Sequence, residues 1–223
     1  MTRSRTGIRF EHMSMNITTV IFDFGYVLSL PPRTTDYQNL ASLAGIDGNA
    51  FEQIYWGQRA DYDRGTIDGP EYWRRVAATA GVEITIAQIG NLIAADIDIW
   101  MRANPVMMDW VRTLKNHGLK IAVLSNMPVE ISTHMRRFAP WFAEFDYVCF
   151  SAEVHLSKPE AAIFHACLKV VGSRYEECLF IDDRADNVEA AQALGMHAVR
   201  FLSFERLAAD VKPYDLPLAL NPP

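Results

Sequence analysis

From residue 104 onward the chain alternates strand-like and helix-like segments, and this alternation limits the fold more than any other feature. Residues 105–117 read as a helix ending at His117-Gly118, with Gly118 just past the last turn. Leu119 to Leu124 reads as a strand, 129–138 as a helix stopped before Pro140, and Tyr147 to Phe150 as a short strand. Residues 160–171 place Ile163, Phe164, Cys167, Leu168 and Val171 at helical spacing. Cys178 to Ile181 is another strand, Asp186 to Leu194 a helix closed by Gly195, and His197 to Phe201 a last strand. Upstream, Thr19-Val20-Ile21-Phe22 is a β-branched and aromatic run that reads as a buried strand. The pattern predicts an α/β fold, a doubly wound, Rossmann-like parallel sheet.

Residues 34–103 break the alternation. They carry helical periodicity and no clear strand, with helices expected over about 35–45, 49–62, 69–81 and 86–101. Gly45-Ile46-Asp47-Gly48, the run from Arg64 to Pro70, and Gly81 separate them. The expected division is an α-helical cap over 33–103, inserted after the first strand. The core is then built from 17–32 and 104–223. The cap hangs over the strand ends, with hinges near Leu30-Pro31-Pro32 and Ala103-Asn104-Pro105. Residues 1–16 read as a flexible N-terminal extension, and the tail from Lys212 as a surface strap.

The formal charge of −6 argues against a nucleic-acid or anionic-membrane partner. No apolar run approaches the ~18 residues of a membrane span. Cys149, Cys167 and Cys178 are odd in number and lie inside apolar runs, so reduced buried thiols in a cytoplasmic protein are expected. The composition leaves monomer and homodimer equally open.

Asp23 ends the first apolar run, with Gly25 two residues on. Ser125, Lys158 and the pair Asp182-Asp183 each follow or lie near a later strand. Taken singly, these are turn residues, N-cap acids or a solvated lysine before a helix. Taken together at strand ends they make a phosphoryl-transfer site. An aspartate can attack phosphorus directly. Lys158, the Ser125 hydroxyl and the amides of Phe24, Gly25 and Asn126 can cradle the equatorial oxygens. Adjacent acids suit a hard Mg²⁺ ion. The partner so defined is a small phosphorylated metabolite.

Asp23-Phe24-Gly25-Tyr26-Val27-Leu28, Val123-Leu124-Ser125-Asn126, Ser157-Lys158-Pro159-Glu160 and Phe180-Ile181-Asp182-Asp183, with Asn187 and Gly195, resemble the four motifs of the haloacid dehalogenase superfamily. The resemblance runs from residue 17 to about 205, and the spellings are nearest its bacterial sugar-phosphate phosphatase branch. That branch includes α-glucose-1-phosphate phosphatase and the phosphatase domain of soluble epoxide hydrolase. The resemblance implies Asp23 as nucleophile and Ser125 and Lys158 as phosphate ligands. It implies Asp23, the Gly25 carbonyl and Asp183 as Mg²⁺ ligands, with Asp182 and Asn187 behind them.

Most phosphatases of this superfamily carry an acid/base aspartate where this chain has Gly25. Loss of a positioned acid/base costs ~10²–10⁴ in rate unless the leaving group is good. Tyr26 is a poor base, its ordinary pKa being ~10. His155 titrates in the right range, although a solvent-facing loop is its simpler placement. Trp56, Asp61, Asp63, Arg64 and Arg75 are candidates for substrate selection, with Trp56, Trp73 and Trp100 equally placed in a cap core. Two other readings stay open: a metal-independent 2-haloacid dehalogenase, and a binding protein whose catalysis is weakened at Gly25.

Overall fold

The computed structural model describes residues 16–218, so nearly all of the expected N-terminal extension lies outside it. Five strands form one parallel sheet: β1 (Thr19–Phe22), β2 (Lys120–Ser125), β3 (Tyr147–Phe150), β4 (Cys178–Asp182) and β5 (His197–Arg200). Their order is β3-β2-β1-β4-β5, with Phe22 level with Val123 on one side and Ile181 on the other. The chain winds one way from β1 to β3 and the other way to β5. The crevice at β1 and β4 is therefore the switch point where such sheets bind ligands.

The insert after β1 holds five helices: α1 (Thr34–Ala44), α2 (Gly48–Gly57), α3 (Arg59–Arg64), α4 (Gly69–Ala80) and α5 (Ile86–Trp100). After them come α6 (Pro105–Asn116), α7 (Val129–Phe138), α8 (Ser151–Val154), α9 (Ala161–Val171), α10 (Ala185–Ala193) and α11 (Phe204–Asp210). Local chemistry starts and stops these helices. Asp68 caps α4 through the Glu71 amide, and Gly81 ends it in the left-handed region at φ +70°. Thr85 and Gln88 form a capping box on α5, and Asn104 with Pro105 opens α6.

Alternate strand residues face opposite layers. Ile21, Ala122, Leu124 and Phe180 pack with Phe164, Cys167 and Val188 of α9 and α10. Val20, Phe22, Val123 and Ile181 pack with Trp110, Ile131 and Leu207 of α6, α7 and α11. Both faces are covered, which is why the strands read as unbroken apolar runs. The three cysteines are free and buried. Among the described residues no helix is long and apolar enough to cross a membrane.

Three elements differ from expectation. The helix expected over 49–62 is broken at Gln58, next to Gly57, a residue that costs about 1 kcal/mol against Ala inside a helix. Helices α8 and α11 were not among the expected elements, and α8 has one turn, too short to show a period. The segment from Lys212 lies on the core, where Trp110 Nε1 donates to the Pro217 carbonyl at 2.9 Å.

The two chain segments that join α1–α5 to the sheet run antiparallel. Leu30 N–H donates to the Arg102 carbonyl at 2.8 Å, and Asn104 N–H to the Leu28 carbonyl at 2.7 Å. The helices also touch the core at a seam. A Cβ on Gly65 (φ +74°) would stand 2.8 Å from the Ala152 carbonyl oxygen, so this turn needs glycine twice over. Ser151 Oγ donates to the Asp63 carbonyl and accepts from Met127 N–H at 2.8 Å. Glu130 accepts from Gly69 N–H at 2.5 Å.

Candidate active site

Asp23 follows β1 directly, and its N–H donates to the Ile181 carbonyl at 2.8 Å, continuing the ladder. The chain then turns tightly. Ser29 N–H closes on the Phe24 carbonyl at 2.8 Å, and Tyr26 sits in the left-handed region at φ 59°. Phe24 anchors the turn by stacking on Trp141, with ring centroids 5.5 Å apart.

Lys158 is buried between two acids, 2.8 Å from Asp23 Oδ1 and 2.6 Å from Asp182 Oδ2. Burial works against its charge, but Asp182 and Asp23 outweigh it and hold the ammonium pKa above its ordinary value. Asp23 is pushed up to about 7 by burial. Lys158 opposes this, while Asp182 and Asp183 add repulsion.

Asp182 is saturated. Besides Lys158 it accepts from Arg184 N–H at 2.9 Å and from Asn187 Nδ2 at 3.0 Å. Asp183 is half-buried, accepts no side-chain hydrogen bond among the described residues, and has its carboxyl raised by burial and by Asp182. Asp23, Asp182 and Asp183 bring one carboxylate oxygen each to within 4.8 Å of one another. These are hard oxygen donors with one lysine among three acids, and the buried Asn187 Oδ1 has no partner among the described residues. The donor set fits a hexacoordinate Mg²⁺ that keeps waters.

Ser125 is the last residue of β2 and is buried at the cavity. Asn126 grips Lys158 at both ends: its Nδ2 donates to the Lys158 carbonyl at 2.9 Å, and its Oδ1 accepts from Lys158 N–H at 2.8 Å. Its side chain is thus a positioning group. The Phe24 amide, expected in a phosphate cradle, donates instead to Asp23 Oδ1 at 2.6 Å, because the carboxylate folds back over the first amide of the turn.

These groups form the floor of a cavity of ≈ 520 Å³. Of the expected residues, Asp23, Phe24, Gly25, Ser125, Asn126, Lys158, Asp183 and Asn187 line it. Trp56 and Asp63 line it from the helical insert. Asp61 and Arg75 pair with each other at 3.0 Å on the insert's surface, and Arg64 pairs with Glu160 across the seam. His155 is exposed at the end of α8, away from the cavity lining.

Sequence reasoning missed Arg59, Ala60, Met127, Ile131 and Arg184 in the lining, and left Trp100 undecided. The signal for two of them was present: 56, 59, 60 and 63 share one helical face. Arg59 is buried and donates from Nε to Asp63 at 2.6 Å and from Nη1 to Asp96 at 3.0 Å. Burial raises the Asp63 carboxyl to about 6 against the pull of Arg59.

Fold and site together define an α/β enzyme with its chemistry at the strand ends, beneath a helical insert. The family model for haloacid dehalogenase-like hydrolases matches residues 17–195, and the chain belongs to that family of hydrolases. It is 27% identical over 187 residues to a sesquiterpene phosphatase of Aspergillus oryzae, covering 82% of this chain and 89% of that one. It is 24% identical over 188 residues to a phosphatase of Mycobacterium tuberculosis, covering 82% and 87%. It spans only 29% of a longer relative, a drimenol cyclase of Aspergillus calidoustus. In fold it is similar to a family enzyme of Bacteroides thetaiotaomicron solved with magnesium and inorganic phosphate. That match has a TM-score of 0.68 and 22% identity, and covers 86% of this chain and 98% of that one.

Proposed function

We propose that this chain is a Mg²⁺-dependent phosphatase that hydrolyses a small phosphorylated metabolite through an aspartyl-phosphate on Asp23. One observation carries the reading. Asp23 Oδ1 is held by Lys158 and the Phe24 amide, while Oδ2 accepts no hydrogen bond among the described residues, at the floor of a cavity. A carboxylate fixed by one oxygen and open at the other is oriented for attack.

In the first step a new Oδ–P bond forms as the ester P–O bond breaks, and the departing alkoxide takes a proton from water. Water then cleaves the acyl phosphate, releasing phosphate and restoring Asp23. Lys158, fixed by Asp182, balances charge on the transferred oxygens, and the Ser125 hydroxyl donates to one of them. Asp23, the Gly25 carbonyl and Asp183 would hold Mg²⁺, which supplies positive charge beside the crowded acids and the phosphoryl group. Gly25 brings no acid to the leaving oxygen, so its proton must come from water; the anomeric sugar phosphate implied by the sequence resemblance would need that proton least, and other alcohols would need it more. The Asp183 carboxylate, which accepts no side-chain hydrogen bond among the described residues, favours a metal over the dehalogenase reading. Three free, buried cysteines support a reducing, cytoplasmic setting.

The test is hydrolysis of an aryl phosphate with Mg²⁺ and with chelator, in wild type and Asp23→Asn. Metal-dependent turnover that falls at least ~10³-fold in the variant is expected. Halide release from chloroacetate that ignores chelator, with no phosphate release, would reverse the assignment.

A further inference from the structure

We propose that the alcohol carried by the phosphoryl group is a hydrocarbon, and that Tyr26, Trp56 and Trp100 form its subsite. The inference rests on the phosphatase reading and concerns the part of the cavity above Asp23. A cavity of ≈ 520 Å³ is of small-molecule size and leaves room well beyond a phosphoryl group. Its upper wall is aromatic. The Tyr26 and Trp100 rings meet edge to face with centroids 6.1 Å apart, as do Trp56 and Trp100, also at 6.1 Å. Trp56 keeps 38% of its surface exposed, a large apolar area that core packing does not explain.

The indole N–H groups of this wall are already occupied by the protein. Trp56 Nε1 donates to the Tyr37 hydroxyl at 3.2 Å, and Trp100 Nε1 to Asp96 Oδ1 at 3.3 Å. Arg59 is engaged by Asp63 and Asp96. What remains toward the ligand is mainly ring surface, with Met127 and Ile131 lining the same cavity from the core, beside Asp63 Oδ2 and Arg59 Nη2, which make no hydrogen bond among the described residues. A sugar would bring more hydroxyls against this wall than these few polar atoms can pair, and each unpaired hydroxyl costs ~1–3 kcal/mol. Gly25 extends the apolar surface down to the reaction site. A Cβ there would meet Trp100 Cζ3 at 3.5 Å, so Gly25 lies directly against the indole.

The experiment compares n-alkylphosphonates from ethyl to decyl, whose P–C bond resists hydrolysis, by calorimetric binding with Mg²⁺ present. Turnover of n-alkyl monophosphates is then compared with that of glucose 6-phosphate, also a primary-alcohol ester, so that leaving-group basicity is matched. Phosphonate affinity rising up to about fourfold per methylene until the cavity fills is expected. Hexyl phosphate should exceed glucose 6-phosphate in kcat/KM at least ~10-fold. Trp56→Ala, at a position open enough for the fold to tolerate it, should flatten the chain-length series. Affinity independent of chain length, or preference for glucose 6-phosphate, overturns the inference. Aryl phosphate hydrolysis in the same preparation separates the two ideas. If it is lost while the phosphonate series holds, the catalytic reading fails and the hydrocarbon subsite stands. If it persists while the series is flat, the subsite fails alone.

Discussion

Two buried acid–base–acid arrangements face the same cavity, and they differ in what they leave open. At the floor, Lys158 lies between Asp23 and Asp182 at 2.8 and 2.6 Å. At the roof, Arg59 lies between Asp63 and Asp96 at 2.6 and 3.0 Å. The floor leaves one oxygen of Asp23 unbonded and sets Asp183 beside it, so its charge balance is incomplete toward the ligand. The roof closes on itself: Tyr55 and Trp100 donate to Asp96 Oδ1 at 2.7 and 3.3 Å, and four aromatic rings surround the Arg59 guanidinium. The same charge pattern is thus left open toward a ligand at the floor and is more nearly completed by the protein at the roof.

The largest expected effect separates the two directly. Lys158→Met leaves Asp23 and Asp182 buried together without a counter-charge. A loss of ~3–5 kcal/mol in stability is expected, and kcat should fall by ~10²–10⁴ because the phosphoryl oxygens lose their fixed cation. Urea titration and steady-state kinetics read the two losses separately. Arg59→Met, the corresponding change at the roof, should cost ~2–4 kcal/mol, somewhat less because Asp63 already takes a proton near pH 6. Its kinetic effect should fall on KM, with kcat moving less than ~10-fold. If Arg59→Met instead removes kcat as Lys158→Met does, the roof belongs to the chemistry and the contrast collapses.

The floor was largely legible in the sequence and the roof was not, for a physical reason. Asp23, Ser125 and Asp182 are tied to strand ends, so an apolar run followed by a polar residue places each of them within a residue or two. Even there, side-chain direction was invisible. Nothing in the string Phe24-Gly25 says that the first amide turns back to Asp23, or that Asn126 clasps the Lys158 backbone. On the insert, position depends on how helices rotate and break. Trp73 and Trp100 both sit on apolar helical stripes, yet Trp73 is fully buried among rings of α2 and α4 while Trp100 lines the cavity. The break at Gln58 was hidden inside a periodic stretch.

A pH experiment sharpens the roof's side of the contrast with a smaller effect. The Asp63 carboxyl is raised by burial from an ordinary 3.8 to about 6, so between these values the folded protein holds a proton that the unfolded chain has released. The unfolded state then binds fewer protons, and this group's contribution to stability falls as pH rises through that window and is level above it. Asp63→Asn removes the slope. The difference between wild type and variant should change by of order 1–3 kcal/mol from pH 4 to pH 7, read from urea midpoints in chelator. A difference that is constant across the range would mean that Asp63 is charged throughout and that Arg59 outweighs its burial.

The smallest effect is expected at the seam, where the Arg64–Glu160 pair joins insert to core. Its side chains are 30% and 46% exposed, against 7% and 1% for Arg59 and Asp96. The guanidinium holds the Glu160 carboxyl below the ordinary carboxylate range, but water and salt screen most of the attraction. Ordering two long side chains offsets much of the rest. Arg64→Ala should therefore change stability by less than ~1 kcal/mol, with the difference vanishing in molar salt. KM should move little, because Gly65 against Ala152 and Ser151 against the Asp63 carbonyl hold the same seam without charge. A salt-insensitive loss of several kcal/mol would show that the pair, and not the buried contacts beside it, fixes how the insert sits on the strand ends.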